Sequence, residues 1–182
     1  MIKKITSLVL ICALSLFAIA GCGSRTDEFV TIDNVNQSSI NVAEGFFQSI
    51  FTGDREMFFA CYPDSFKEFE NVDGERVDMD QIFDQYSADS LPEYTYLGAS
   101  VSGYNDYVEE NNYDFPSLQT DISIIHHMDV EQIEAAQIVK LRLNFQNEDG
   151  ERLTTDVYIL VYKAGPAWYV FELQNSDAEF AV

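Results

Sequence analysis

IVKLRLNF (Ile138–Phe145) alternates apolar and polar side chains from Val139 onward. Because successive side chains of a β-strand point to opposite faces, one face of this segment would pack and the other would meet water. A strong turn signal, NEDG at residues 147–150, follows it, and Leu153–Tyr162 is predicted to return as the partner strand. A second turn at residues 164–166 leads to a last strand, Trp168–Leu173.

Two earlier segments are also predicted to be strands because they are rich in aromatic and β-branched residues. They are Tyr94–Tyr104 and Thr120–Met128. The stretch between them, NDYVEENNYDFPS (residues 105–117), is acidic and turn-rich and is predicted to be an exposed loop.

Helical spacing dominates the chain before these strands. Asn41 is a candidate N-cap with Glu44 three residues later, and bulky apolar residues then recur at helical spacing as far as Gly53. Asp54 is a second candidate N-cap, for a helix that must end before Pro63, and a further short helix is predicted over residues 80–87. Helices followed by an antiparallel meander indicate a single α+β domain, predicted here to span residues 38–182.

The first 22 residues have the features of an export signal. Lys3 and Lys4 precede an uncharged apolar run that ends in Ile19-Ala20-Gly21-Cys22. These four residues resemble the lipobox of bacterial lipoproteins. The resemblance implies that residues 1–21 are a signal peptide removed before Cys22. Cys22 would then carry a lipid with acyl chains such as palmitate, which anchors the protein to the extracytoplasmic side of the cell membrane. The alternative, a retained transmembrane helix, is disfavoured because the apolar run is shorter than the roughly 20 residues that cross a bilayer.

Residues 22–37 are mostly polar and are predicted to be a flexible tether between the lipid and the domain. The whole chain has a formal net charge of -21, and removal of Lys3 and Lys4 would leave 8 basic residues against 31 acids, or -23. Such a charge repels phosphate backbones, so nucleic acid is not expected as a partner. Cys12 would leave with the signal and Cys22 would carry lipid, so Cys61 would have no disulfide partner and is predicted to be a small buried hydrophobe.

Two segments are similar to the nuclear transport factor 2-like superfamily. NVAEGFFQSIFTGDREMFFACY (Asn41–Tyr62) resembles its opening helices, and DVYILVYKAGPAWYVFEL (Asp156–Leu173) resembles its final hairpin. The resemblance covers about residues 38–173 and implies helices packed into a curved sheet that encloses a cone-shaped cavity. Ketosteroid isomerases and polyketide cyclases of that superfamily use the cavity for acid–base chemistry, whereas many other members only bind or associate. None of their catalytic motifs matches a position of this chain, so the catalytic residues are unknown.

The histidine pair and the acidic runs are the candidate metal ligands. His126 and His127 would point to opposite faces of an extended strand, so they could not converge on one ion. The acidic runs lack the spacing of an EF-hand loop and are predicted to be solvated surface. They comprise Asp73, Glu75, Asp78 and Asp80 in one segment and Glu109, Glu110 and Asp114 in another. No metal and no cofactor is therefore expected.

Four basic residues fall on or beside the last strands, namely Lys140, Arg142, Arg152 and Lys163. They are predicted to pair across strands with Glu151, Asp156 and Glu172 on the wet face of the sheet. The alternative is a small cationic patch that docks an anionic ligand or partner, and the sheet is also a candidate surface for a homodimer.

Three functions follow as hypotheses. The first is a non-catalytic lipoprotein domain that binds a small molecule or an envelope protein. The second is an enzyme of the ketosteroid isomerase or cyclase type, with a cavity carboxylate as base and a Tyr as hydrogen-bond donor. The third is a structural or protein-interaction lipoprotein that uses the outer face of its sheet.

Overall fold

The protein is described by a computed structural model that covers residues 29–87, 93–106 and 114–174. Its helices are α1 Ser39–Thr52, α2 Arg55–Ala60, α3 Asp64–Lys67, α4 Met79–Ser87 and α5 Phe115–His126, with a 3-10 turn at Val130–Gln132. Its strands are β1 Tyr94–Asp106, β2 Ile133–Asn147, β3 Arg152–Ala164 and β4 Ala167–Gln174. The predicted α+β class is confirmed, with four antiparallel strands in a curved sheet.

The helix α1 begins three residues earlier than the predicted cap at Asn41. Ser38 is the N-cap, and its side chain accepts a hydrogen bond from the Asn41 amide at 3.0 Å. Glu44 therefore lies beyond the first turn and has no capping role. Gly53 ends the helix in the left-handed conformation, with φ at 75°, as predicted.

The helix α2 follows its prediction closely. Asp54 caps it by accepting from the Met57 amide at 3.0 Å, and the helix ends before Pro63. The helix stop at Gly53 and the cap at Asp54 are signals between neighbouring residues, which explains why the sequence shows these two.

The sheet has the strand order β1-β2-β3-β4, so each strand pairs with its neighbour in sequence. The predicted hairpin is confirmed, because Leu143 pairs with Thr155 and Leu141 pairs with Val157. The free edge of β4 is partly covered, since the Trp168 and Val170 amides donate to the Asn36 and Cys61 carbonyls.

The prediction of a strand over Thr120–Met128 is wrong, because these residues belong mostly to α5. Leu118 and Ile122 lie one helical turn apart and are buried together, and Pro116 stands in the first turn, where its missing amide costs nothing. The loop predicted between residues 105 and 117 is correspondingly shorter, and its residues 107–113 lie outside the described part of the chain.

The helices cover both faces of the sheet and create two cores. The helices α1, α2 and α4 pack on the face that carries Leu141 and Ile159, whereas α5 packs on the opposite face against Leu160 and Tyr162. The strand β3 is therefore buried on both sides along residues 159–162, each of which is fully buried.

The predicted tether is wrong for its last residues. Val30 and Val35 are 7% and 0% exposed and belong to the first core. The Asn36 side chain donates to the Ala60 carbonyl at 2.9 Å and to the Trp168 carbonyl at 2.8 Å. Valine burial and these two bonds outweigh the polar composition of the segment, so the domain begins by Val30 and not at Ser38.

Several predictions fall outside the described residues. They are the signal peptide, the lipobox with Cys22, the tether before Phe29 and the end of the chain after Gln174. Among the residues that the structure does describe, no helix combines the length and the apolar character that a membrane crossing requires.

Candidate functional site

A cleft of about 360 Å³ opens at the end of the sheet, where the chain leaving α5 meets the β3–β4 turn. We call it the end cleft. Its lining comes from three distant parts of the sequence and comprises Pro63, Met128, Gln132, Glu134, Ala164, Gly165 and Tyr169. Its volume lies within the range of about 300 to 1,000 Å³ that is usual for small-molecule sites.

Local backbone features set the shape of the end cleft. Gly165 has φ at 57°, a left-handed conformation that lets β3 turn tightly into β4. The register between β2 and β3 shifts between Ile133 and Ala135, so Glu134 lies at an irregularity of the strand. The Gln132 side chain accepts from the Asp129 amide, which holds the turn before β2.

Behind the end cleft lies the end of α5, fixed by a buried histidine. His126 is 1% exposed, and its Nδ1 lies 2.7 Å from the Tyr162 hydroxyl oxygen. The Ser65 hydroxyl donates to the His126 carbonyl at 2.6 Å, which joins α3 to α5. The Tyr162 ring contacts the ring of Tyr169, so this lining residue of the cleft packs against a fully buried side chain.

Burial, and to a lesser extent the nearby His127, lower the pKa of His126 from 6.5 to about 4. Burial raises the pKa of Tyr162 above its ordinary value. Both groups are therefore neutral near pH 7, which suits a structural pair in an apolar setting.

His127 does not join His126 in a common site. It takes the left-handed conformation, φ 52°, at the end of α5, and its amide donates to the Ser123 carbonyl. Its ring stacks on Phe69. The two imidazoles have separate partners, and they lie at a helix end and not along the strand from which their divergence was predicted. Within residues 29–87, 93–106 and 114–174, no group of His, Cys, Asp or Glu side chains is arranged to hold a metal.

The described part of the first acidic run makes ordinary surface contacts. Asp80 pairs with Arg55 at 2.8 Å, and Asp78 accepts from the Gln81 amide at the start of α4. Glu75 accepts from the Asn71 side chain. In the second run, Glu109 and Glu110 lie outside the described residues.

Cys61 is buried, as predicted, and its thiol lies 3.3 Å from the Met57 carbonyl oxygen. Burial raises the pKa of the thiol far above its ordinary value. A thiolate is the nucleophilic form, so this residue is chemically inert in the folded protein.

The predicted cross-strand pairing is confirmed for Asp156. It accepts from Arg142 at 2.8 Å and pairs with Lys140 at 3.2 Å. The hydrogen bonds from Arg142, then Lys140, lower the pKa of Asp156 to about 2. Lys163 pairs with Glu134, an acid that the prediction did not name, because the strand irregularity brings Glu134 next to it.

The interior between the helices and the sheet is filled by aromatic side chains. Phe46, Phe47, Phe58 and Phe145 are at most 2% exposed, and the Phe46 ring contacts those of Phe47 and Phe58. Trp168 packs against the same core. These rings occupy the space where a catalytic cavity of the ketosteroid isomerase type was one expectation.

One buried carboxylate adjoins this interior. Glu44 on α1 is 8% exposed. Burial, and then the charge of Glu44, raise the pKa of Tyr96 above its ordinary value. The Tyr96 ring is enclosed by Phe51 and Phe145, with centroid distances of 5.4 and 5.6 Å.

Comparison with protein-family models, with curated proteins and with solved structures gives no match to this chain.

The end cleft could not be predicted from the sequence because its walls come from the α2–α3 junction, the α5–β2 connection and the β3–β4 turn. The one local signal was the Ala-Gly-Pro turn at residues 164–166, which predicted the position of the hairpin but not of a cleft.

Proposed function

We propose that this chain is a membrane-anchored extracytoplasmic lipoprotein whose α+β domain binds a small molecule in the end cleft. The observation that carries the binding part is the cleft itself. It combines the apolar Met128 and Pro63 with the aromatic Tyr169 and the polar Gln132 and Glu134. Apolar walls with a few polar groups are typical of small-molecule sites. The anchoring part rests on Ile19-Ala20-Gly21-Cys22.

The chemistry of the end cleft favours binding over catalysis. Among the described lining residues the carboxylate is that of Glu134, which is 48% exposed and paired with Lys163, so it is not a desolvated group of the kind that acts as a general acid or base. The buried His126 is bonded to Tyr162 and lies behind the lining residues. The site therefore offers contacts to a ligand without a poised proton donor or base.

The nuclear transport factor 2-like cone is part of the same proposal. Support comes from the helices α1, α2 and α4, which pack on one face of a curved antiparallel sheet. The aromatic filling of that space favours a domain that binds at the end of the sheet over one that encloses a substrate within it.

The ketosteroid isomerase or cyclase activity is the second candidate, and the observation that favours it is the buried carboxylate of Glu44, whose charge acts on Tyr96. The isomerase reaction would use Glu44 as the base. Turnover of a 3-oxo-Δ5-steroid that is lost in Glu44→Gln would support this candidate. Equal turnover in the variant, or none in the natural chain, would count against the isomerase.

The anchoring is tested by fractionating cells that express the full chain. Cys22→Ser should abolish lipid labelling and leave the protein unprocessed or outside the membrane fraction. Cys12→Ser is the matched control, because it changes the other thiol of the same segment and should behave as the natural chain does. Unchanged lipid labelling in Cys22→Ser would contradict the anchor.

The binding is tested by native mass spectrometry of the protein extracted from membranes in a mild detergent. We expect an added mass of small-molecule size that is lost in Tyr169→Ala. A protein-sized mass, or a dimer, would instead support the interaction hypothesis in which an envelope protein or a second copy docks on the sheet.

A further inference from the structure

The described segments that line the end cleft are rich in carboxylates. Glu134 lines it, and Asp129 and Glu131 precede it in the same connection. From His127 to Glu134 the chain has three acids and no Lys or Arg. On the opposite side, Asp64 follows the lining residue Pro63.

The lysines in these segments neutralise only part of the negative charge of the carboxylates. Lys163 pairs with Glu134, and Lys67 pairs with Asp64 at 2.8 Å, which leaves two lysines beside four carboxylates. The net charge of -21 on the whole chain adds a negative field of long range. A cleft within such a field raises the local concentration of cations and repels anions.

Tyr169 is the aromatic residue of this lining. Its pKa is raised, first by partial burial and then by the charge of Asp64, so the phenol stays neutral. The ring is half-buried and lines the cleft, and an aromatic ring in a lining attracts a positive group to its face.

The remaining wall suits alkyl groups. Met128 is half-buried and Pro63 is buried, and both line the same cleft as Tyr169. A methionine side chain adapts to irregular apolar shapes, so it complements compact methyl groups well. A ligand with a positive centre and an apolar surface would therefore satisfy both the field and the wall.

We propose that the ligand of the end cleft is a small alkylammonium ion, held by the Tyr169 ring, the Met128 side chain and the Glu134 carboxylate, which it would share with Lys163. This inference rests on the proposed small-molecule function and adds the chemical class of the ligand. The positive centre approaches Tyr169 and Glu134, and the alkyl groups contact Met128.

Isothermal titration of the full chain in a neutral detergent tests the charge of the ligand. Three probes of nearly equal shape are choline, its neutral carbon analogue 3,3-dimethylbutan-1-ol, and the anion 3,3-dimethylbutanoate. We expect choline to bind at least about fivefold more tightly than the neutral alcohol, and no heat of binding from the anion. Equal binding of the alcohol, stronger binding of the anion, or no binding of choline would overturn the inference.

Two variants place the binding in the end cleft. Tyr169→Leu and Glu134→Gln should each weaken choline binding by up to about fivefold, whereas Tyr169→Phe should retain it. Glu148→Gln, on the β2–β3 turn, removes the same type of charge elsewhere and should leave affinity unchanged within about twofold. Equal effects of Glu134→Gln and Glu148→Gln would show a non-specific charge effect and would overturn the site.

The outcomes separate this inference from the proposed function. Cleft-dependent binding of the neutral or anionic probe would overturn only the ligand class and would leave the end cleft as a binding site. Absence of any co-purifying small molecule would count against the proposed function, whatever the choline result.

Discussion

His126 and Tyr162 form a buried pair in which the imidazole Nδ1 lies 2.7 Å from the phenolic oxygen. His126 is the last residue of α5 and Tyr162 lies on β3, so this contact joins the helix to the face of the sheet opposite α1. The rings of Phe66 and Phe171 pack around the imidazole, with centroid distances of 4.8 and 5.6 Å.

The first prediction concerns pH. The pKa of His126 is about 4 in the folded protein against 6.5 ordinarily, so the unfolded chain gains a proton first as the pH falls. The stability of the folded protein is therefore unaffected by His126 above pH 6.5. As the pH falls towards 4, protonation of His126 in the unfolded chain lowers the free energy of unfolding by about 2 to 3 kcal/mol. Urea unfolding at pH 7.5 and 4.5 measures it.

The control is His126→Phe, which keeps a ring but cannot titrate. Its loss of stability between the same two pH values should be smaller than that of the natural chain by about 2 kcal/mol. An identical pH dependence in both proteins would show that His126 titrates normally and is not buried as described.

The second prediction concerns the close approach of the N-terminal segment to α1. A Cβ built on Gly45 would lie 2.5 Å from Cγ2 of the buried Val35. Gly45→Ala should therefore lower the free energy of unfolding by about 1 to 2 kcal/mol, even though alanine favours a helix. In the background of Val35→Ala the same change should be neutral or stabilising, and additive effects in this double-mutant cycle would contradict the contact.

The third prediction concerns Asn36, which joins the end of α2 to the edge strand β4. Asn36→Ala should cost about 2 kcal/mol of unfolding free energy because two carbonyls lose a donor. Gln37→Ala is the matched control, since its exposed side chain bonds only locally to Asp33, and its effect should stay within about 0.5 kcal/mol. Equal effects of the two changes would disprove the bridging role of Asn36.

The fourth prediction follows from the same segment. A chain that begins at Ser38 should melt about 10 °C below one that begins at Gly23, because it loses Val30 and Val35 from the core. Thermal unfolding followed by circular dichroism measures the difference. Equal melting temperatures would restore the original interpretation of the segment as a tether.

The elements that the sequence predicted correctly carry their signals locally. The β2–β3 hairpin shows alternation around a turn, and α2 shows its cap at Asp54. The strand predicted in place of α5 failed because Ile122, Ile124 and Ile125 fit either period in so short a run. The packing of Leu118 and Ile122 against Leu160 and Tyr162, on the face of the sheet opposite α1, is what favours a helix here.

The site was harder to predict than the fold. The end cleft depends on Pro63, Met128 and Tyr169, which lie far apart in sequence and form no motif. The burial of Val35 likewise depends on a glycine ten residues later that leaves room for it. Contacts of this kind are created by the tertiary structure, so composition predicted a tether where the chain packs.

The most direct test of the account is the methyl NMR spectrum of the protein labelled at its methionines, recorded with and without a small-molecule extract of the producing cells. Met128 lies in the end cleft, whereas Met57 and Met79 are buried in the first core and serve as internal controls. We expect the Met128 signal to shift while the other two stay in place. A shift of Met57 or Met79 without Met128, or no shift at all, would contradict ligand binding in the end cleft.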